Sequence, residues 1–147
     1  MINVCDTVIE MTERMGLHGL SFDAANMIGI SFDALAVGIY ADPDLEEITF
    51  FLNIGAVPSD KENKAAVYAY LLKNNNFARN TGGGVLGVDE EEASIYFSSR
   101  IAAGSFTAAE LGQVLEAFLN LAESFIEGIN NAMSHGSRDT IQYEMRV

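Results

Sequence analysis

The stretch NNNFARNTGGGVLGVDEEEASIYFSSRI, residues 74–101, decides the fold. Three consecutive glycines, Gly82, Gly83 and Gly84, stand inside it. A phosphate-gripping loop requires a strand, then the glycines, then a helix whose first N–H groups face the anion. Here the order is reversed. The preceding DKENKAAVYAYLLKNNNF has helical character, and the following GVLGVDEEEASIYFSSRI reads as a hairpin. No Gly-Lys-Ser/Thr follows, and no GxGxxG is present. The glycines therefore mark a helix stop and a strand start, where their tolerance of positive φ is needed.

On the N-terminal side, Ser59 and Glu62 form a capping box, SDKE, after Pro58. It predicts a helix to about Asn75, with Ala65, Tyr68, Leu71 and Leu72 facing inward. Three strands are expected before it. NMIGISF and ALAVGIYA alternate, the latter with Leu35, Val37 and Ile39 on one side, and EITFFLNIGAV is rich in β-branched and aromatic residues. Asp42-Pro43-Asp44 is a turn. Val4, Val8, Met11 and Met15 share one helical face, and Gly16 and Gly19 stop that helix.

On the C-terminal side, GVLGV and ASIYFSSRI flank Asp89, Glu90, Glu91 and Glu92, giving a hairpin with an acidic tip. A second capping box, Thr107 to Glu110, opens a last helix with the most regular apolar face in the chain. That face is Leu111, Leu115, Phe118, Ala122, Phe125 and Ile129. From Ser134 onward there is no clear period, and residues 134–147 are expected to be a flexible tail. The order α-β-β-β-α-β-β-α predicts one α+β domain over residues 1–133, with an antiparallel twisted sheet flanked by helices.

The 147 residues, 49% hydrophobic, suffice for one domain with a real core. No apolar run reaches the length of about 18 residues that a membrane span needs. The first residues lack the basic region of a secretory signal. A single cysteine, Cys5, allows no internal disulfide and suits a reducing compartment. A net charge of −13 argues against nucleic acid and anionic membranes. No Lys or Arg lies between Arg14 and Lys61, or between Arg100 and Arg138. The plainer reading is an acidic coat beside exposed apolar patches, and the sharper one is steering toward a basic partner.

No catalytic signature emerges. His18 and His135 lie in a loop and at the edge of the tail, neither at metal-ligand spacing from Cys or a carboxylate. The acidic tip lacks the alternating ligands and fixed glycine of a calcium loop. No serine stands in a GxSxG elbow. Neither metal nor cofactor is expected, and weight shifts to a binding protein.

From about residue 2 to 130 the chain resembles the class I type III secretion chaperones, the CesT/SycE-like (Tir chaperone) family. The residues that carry the resemblance act in combination. AYLLKNNNF leads through ARNTGGGVLGVDEEEASIYFSSRI and the polar gap AAGSFTAAEL to the helix GQVLEAFLNLAESF. The departures are the extended C-terminal segment and the few charges in the first helix. The resemblance implies a homodimeric, cytoplasmic bacterial chaperone, not an enzyme. It would bind the N-terminal chaperone-binding region of a secreted effector in extended form, without ATP, and aid delivery to the secretion machinery. It implies no nucleic-acid partner and no membrane insertion.

Strand addition at an exposed sheet edge suits that role. The client groove is expected on helix one and the first strands, at Val8, Met11, Met15, Ile28, Ile30, Leu35, Val37 and Ile39, several of which must also serve the core. By resemblance, the dimer interface involves Val67, Tyr70, Leu71, Phe77, Val85 and Leu86. Two other readings stand beside this one. An acidic immunity or regulatory protein would sequester a folded basic partner, and its binding would fall steeply with salt. A small-molecule enzyme rests on the glycine run alone.

Overall fold

The computed structural model describes residues 3–146, with side chains for residues 3–134. Asn3 opens helix α1 (Val4–Arg14), its side chain accepting from the Cys5 N–H. The helix closes at Gly16, where φ is +86° and Leu17 N–H reaches back to the Thr12 carbonyl. That bond pattern satisfies the last carbonyls and needs a glycine.

Strands β1 (Met27–Phe32), β2 (Leu35–Asp42) and β3 (Glu47–Ala56) form an antiparallel meander. Asp42 turns the chain into β3 by accepting from the N–H groups of Asp44 and Leu45. Helix α2 (Lys61–Asn75) follows. Its N-cap is Asp60 and not Ser59 as the capping-box reading placed it. The Asp60 carboxylate accepts from both the backbone and the side chain of Asn63, which a serine hydroxyl cannot match.

After α2 the chain makes a short turn at Asn76–Ala78, with Phe77 and Ala78 both left-handed. Gly82 and Gly83 also have positive φ. Thr81 and Gly84 then close on each other, Gly84 N–H to Thr81 carbonyl and Thr81 hydroxyl to Gly84 carbonyl. The glycine run is thus a helix-to-strand junction, with these groups committed to the turn and no helix after it. β4 (Val85–Asp89) and β5 (Ser94–Ala102) form the hairpin, whose tip is held by the Asp89 carboxylate accepting from Glu91 and Glu92.

The five strands form one antiparallel sheet in the order β1-β2-β3-β5-β4. Bonds from Ala103 N–H to Glu46 and from Val57 N–H to Ala93 fix β3 against β5. The last helix, α3 (Ala108–Arg146), opens with the expected reciprocal pair, Glu110 N–H to the Thr107 hydroxyl and Thr107 N–H to the Glu110 carboxylate. Its backbone stays helical through the segment the sequence leaves without a period. The expected tail falls on side chains beyond 134, which lie outside the described residues.

Contacts gather in two compact units. The first runs to Leu52 and adds Ser98–Asn120. Val4, Val8 and Met11 of α1 are buried there with Ile28, Ile30, Val37 and Ile39 of the sheet. Phe50 meets Phe118 of α3 at 5.7 Å between ring centroids. The second spans Asn53–Phe97 and the helix from Leu121 on. Its centre is Phe97, 5.0 Å and nearly edge-on to Phe125, with Ile95, Val67 and Leu71 buried in the same unit. All six residues of the regular α3 face are buried.

Candidate functional site: an open strand edge and two apolar surfaces

A sheet in this order has two edge strands, β1 and β4, and they differ. At β4 the side-chain amide of Asn75 donates to the Leu86 carbonyl and accepts from the Leu86 N–H, both at 3.0 Å. The amide occupies the place of a neighbouring strand and blocks that edge at Leu86. At β1 the loop covers only the first residue. Asp23 N–H bonds the Met27 carbonyl, and the Asp23 carboxylate accepts from Met27 N–H. Ala41 N–H bonds the Asn26 carbonyl, which sets the phase of the β1–β2 ladder. Hydrogen-bonded and non-bonded pairs alternate in an antiparallel ladder, so Gly29 and Ser31 direct their N–H and C=O away from β2. Both residues are exposed.

The face of β1 and β2 opposite the core carries small residues: Gly29, Ser31, Ala36 and Gly38. They form the floor of a shallow groove of about 360 Å³ that Met27 and Phe51 also line. A second groove of similar volume lies between the end of α1 and the first turns of α3. Met15, Phe32 and Leu119 line it over the small residues Ala108, Ala109 and Gly112, with Met11 as a buried wall.

The client residues expected from sequence divide here. Val8, Met11, Ile28, Ile30, Val37 and Ile39 are buried in the single chain, and of these Met11, Ile28, Ile30 and Val37 also line one of the two grooves from beneath. The physical reason is parity: successive strand residues face opposite sides, and the β-branched set is the one the helices cover. Met15, 40% exposed, and half-buried Leu35 remain accessible. The open face was missed because it is marked by glycine, serine and alanine and not by large apolar residues.

The α2 and β4 surface divides likewise. Val67, Leu71 and Leu86 are buried within the chain, and Leu71 and Leu86 line a groove on this surface. Tyr70 is turned against α3. A Cβ on Gly128 would overlap its hydroxyl, and desolvation raises the Tyr70 pKa. Phe77 and Val85 are 81% and 56% exposed, and Leu72, expected inside, is 73% exposed. Val88 at 37% extends this apolar patch, which borders a groove formed by Tyr68, Leu72, Leu86 and Val88. Between polar ends, α2 is apolar or aromatic throughout residues 65–72: its own unit buries Val67 and Leu71 and leaves Leu72 bare.

Chemistry is sparse among the described residues. No group of three His, Cys, Asp or Glu side chains there is placed to hold a metal. Cys5 is half-buried on α1, and burial, then Asp6, raises its thiol pKa, which keeps it protonated. No helix among the described residues is long and apolar enough to cross a membrane.

The family model described as the Tir chaperone protein (CesT) family matches residues 8–125. None of the curated proteins compared by sequence matches the chain. Solved structures do. A chain of the ExsC–ExsE complex has a TM-score of 0.70 at 20% identity, over 84% of this chain and 91% of that one. A chain of the HopA1–SchA chaperone–effector complex has 0.64 at 15%, over 83% and 91%. The Yersinia pestis type III secretion chaperone SycH, solved with a stable fragment of YscM2, has 0.62 at 15%, over 83% and 98%. At these identities the likeness is one of fold.

Proposed function

We propose, from the premise that the chain belongs to the Tir chaperone protein (CesT) family, that it is a type III secretion chaperone acting on the N-terminal segment of an effector. The observation that carries the reading is the asymmetry of the two sheet edges. Asn75 plugs the β4 edge at Leu86, while Gly29 and Ser31 present free backbone groups beside a shallow groove. An extended segment gains affinity from backbone hydrogen bonds there and selectivity from alternate side chains. Holding the segment extended keeps it secretion-competent, and nothing in that work requires ATP, a cofactor or a metal.

The patch of Leu72, Phe77, Val85 and Val88 supports a homodimer, the second copy covering apolar surface that its own unit leaves bare. The protein then acts in the bacterial cytoplasm as a non-enzymatic dimer that carries its client to the secretion machinery.

Purification of the tagged chain from its native cell, with native mass spectrometry of the eluate, tests this. Two copies with one larger protein, held through that protein's N-terminal segment, are expected. A bare monomer would overturn the reading. So would a complex with a folded basic protein that salt dissolves, which would establish the sequestering function instead.

A further inference from the structure

We infer that the β1 edge selects an antiparallel, cationic segment carrying an aromatic residue opposite Gly29. The inference rests on the strand-addition reading above and names the chemistry of the segment that the edge takes.

The sheet contains its own template. Gly38 of β2 pairs directly with Phe51 of β3. A Cβ on Gly38 would overlap the Phe51 ring, so the ring lies over the glycine. Alternation makes this a hydrogen-bonded pair, because the odd-numbered residues of β2 bond to β1 and the even-numbered ones to β3. Gly29 pairs with Gly38 on the other side, and a Cβ placed on Gly29 meets nothing within 4 Å.

Gly29 directs its N–H and C=O to the free edge, so an added strand would pair with it in the same hydrogen-bonded geometry. A half-turn about the sheet normal carries β2 with β3 beside it onto β1 with the added strand beside it. The same face stays uppermost. The residue opposite Gly29 therefore stands to Gly29 as Phe51 stands to Gly38. A ring there covers the bare backbone of Gly29 and fills the trough that Ser31 and Ala36 continue. Cross-strand aromatic contacts of this kind compensate a glycine's missing side chain.

Charge narrows the partner further. Asp23 and Asp33 flank β1, and no Lys or Arg occurs between Arg14 and Lys61. A segment with Lys or Arg at its ends and no acid complements this edge. A second copy of β1 would bring the same acids together and offers no ring opposite Gly29.

The test uses the full chain and labelled host peptides Lys-Thr-Thr-Thr-Xaa-Thr-Thr-Thr-Lys, with Xaa as Phe or Ala, titrated by fluorescence anisotropy. The Phe peptide is expected to bind about tenfold more tightly, the scale of burying one aromatic side chain. Gly29→Val should abolish that preference, bringing the affinities of the Phe and Ala peptides together. The variant fits the fold, because the added side chain has open space and a strand favours β-branching. Equal binding of the two peptides by the wild type overturns the aromatic selection and leaves strand addition standing. Failure of both peptides to bind, or to shift the Gly29 and Ser31 amide resonances, overturns strand addition and the selection with it. If Gly29→Val instead changes the oligomeric state while no peptide binds, the edge pairs with a second copy and the inference is wrong.

Discussion

The side chain of Asn75 completes the backbone of Leu86, donating to its carbonyl and accepting from its N–H at 3.0 Å each. One side chain at the end of α2 thus does two things. It ties the helix to β4, and it takes the place of a pairing strand at Leu86 on that edge of the sheet. Asn75→Ala should lower stability by about 1–3 kcal/mol, the cost of leaving two partly buried backbone groups without partners. Urea unfolding checks this. Light scattering should also show more self-association, because an edge has been opened.

The core prediction concerns Phe50. Its side chain is fully buried and packs on Phe118. Phe50→Ala should cost about 3–5 kcal/mol, the range for an aromatic-to-alanine cavity that collapses only in part. Tyr40 on the opposite face of the sheet is exposed, and Tyr40→Ala should cost far less. Similar losses for the two would mean that the sheet's faces are assigned the wrong way round.

Backbone conformation after α2 gives a prediction of opposite sign. Ala78 has φ +54°, where a Cβ is strained. Ala78→Gly should raise the stability by about 1 kcal/mol, the relief of a left-handed alanine less glycine's extra chain entropy. Thermal unfolding reads it directly.

The α2 and β4 patch predicts assembly behaviour. Leu72→Glu with Val88→Glu replaces two exposed apolar side chains by charges. The wild type is expected to sediment as a dimer, and the doubly substituted chain should remain folded by circular dichroism and sediment as a monomer. A dimer that survives both changes would place the interface elsewhere.

Asp60 sets a pH dependence. Hydrogen bonds from the Asn63 backbone, then its side chain, lower its carboxyl pKa in the folded state. A depressed folded pKa gives stability that is present above the unfolded value and lost as pH falls through the folded one. Asp60→Asn keeps an N-cap acceptor but cannot titrate. Acid titration of unfolding should therefore show a smaller loss of stability for Asp60→Asn than for the wild type below about pH 4.

Much of the fold was legible in the sequence, and the reasons are particular. The glycines at 82–84 stand in the wrong order for a phosphate loop, and the Thr107 to Glu110 box and the α3 face are strong local signals. Other features were ambiguous in principle. Ser59 and Asp60 are both good caps, and only geometry decides between them. The run 65–72 of α2 is apolar or aromatic at every position, so its period gives no direction and does not tell exposed Leu72 from buried Leu71. In the strands the large apolar residues mark the core, while the open face is written in Gly29, Ser31, Ala36 and Gly38, which carry no hydrophobic signal. Asn75 sits among three asparagines, and nothing local distinguishes the one that bonds Leu86.

The most direct measurement is amide hydrogen exchange on the chain alone and in complex with the client recovered from the native cell. Gly29 and Ser31 should exchange fast in the free chain and become protected in the complex. Leu86, already bonded to Asn75, should change little. Unchanged exchange at Gly29 and Ser31 in a stable complex would contradict the central claim, because the client would then be held without adding a strand to β1.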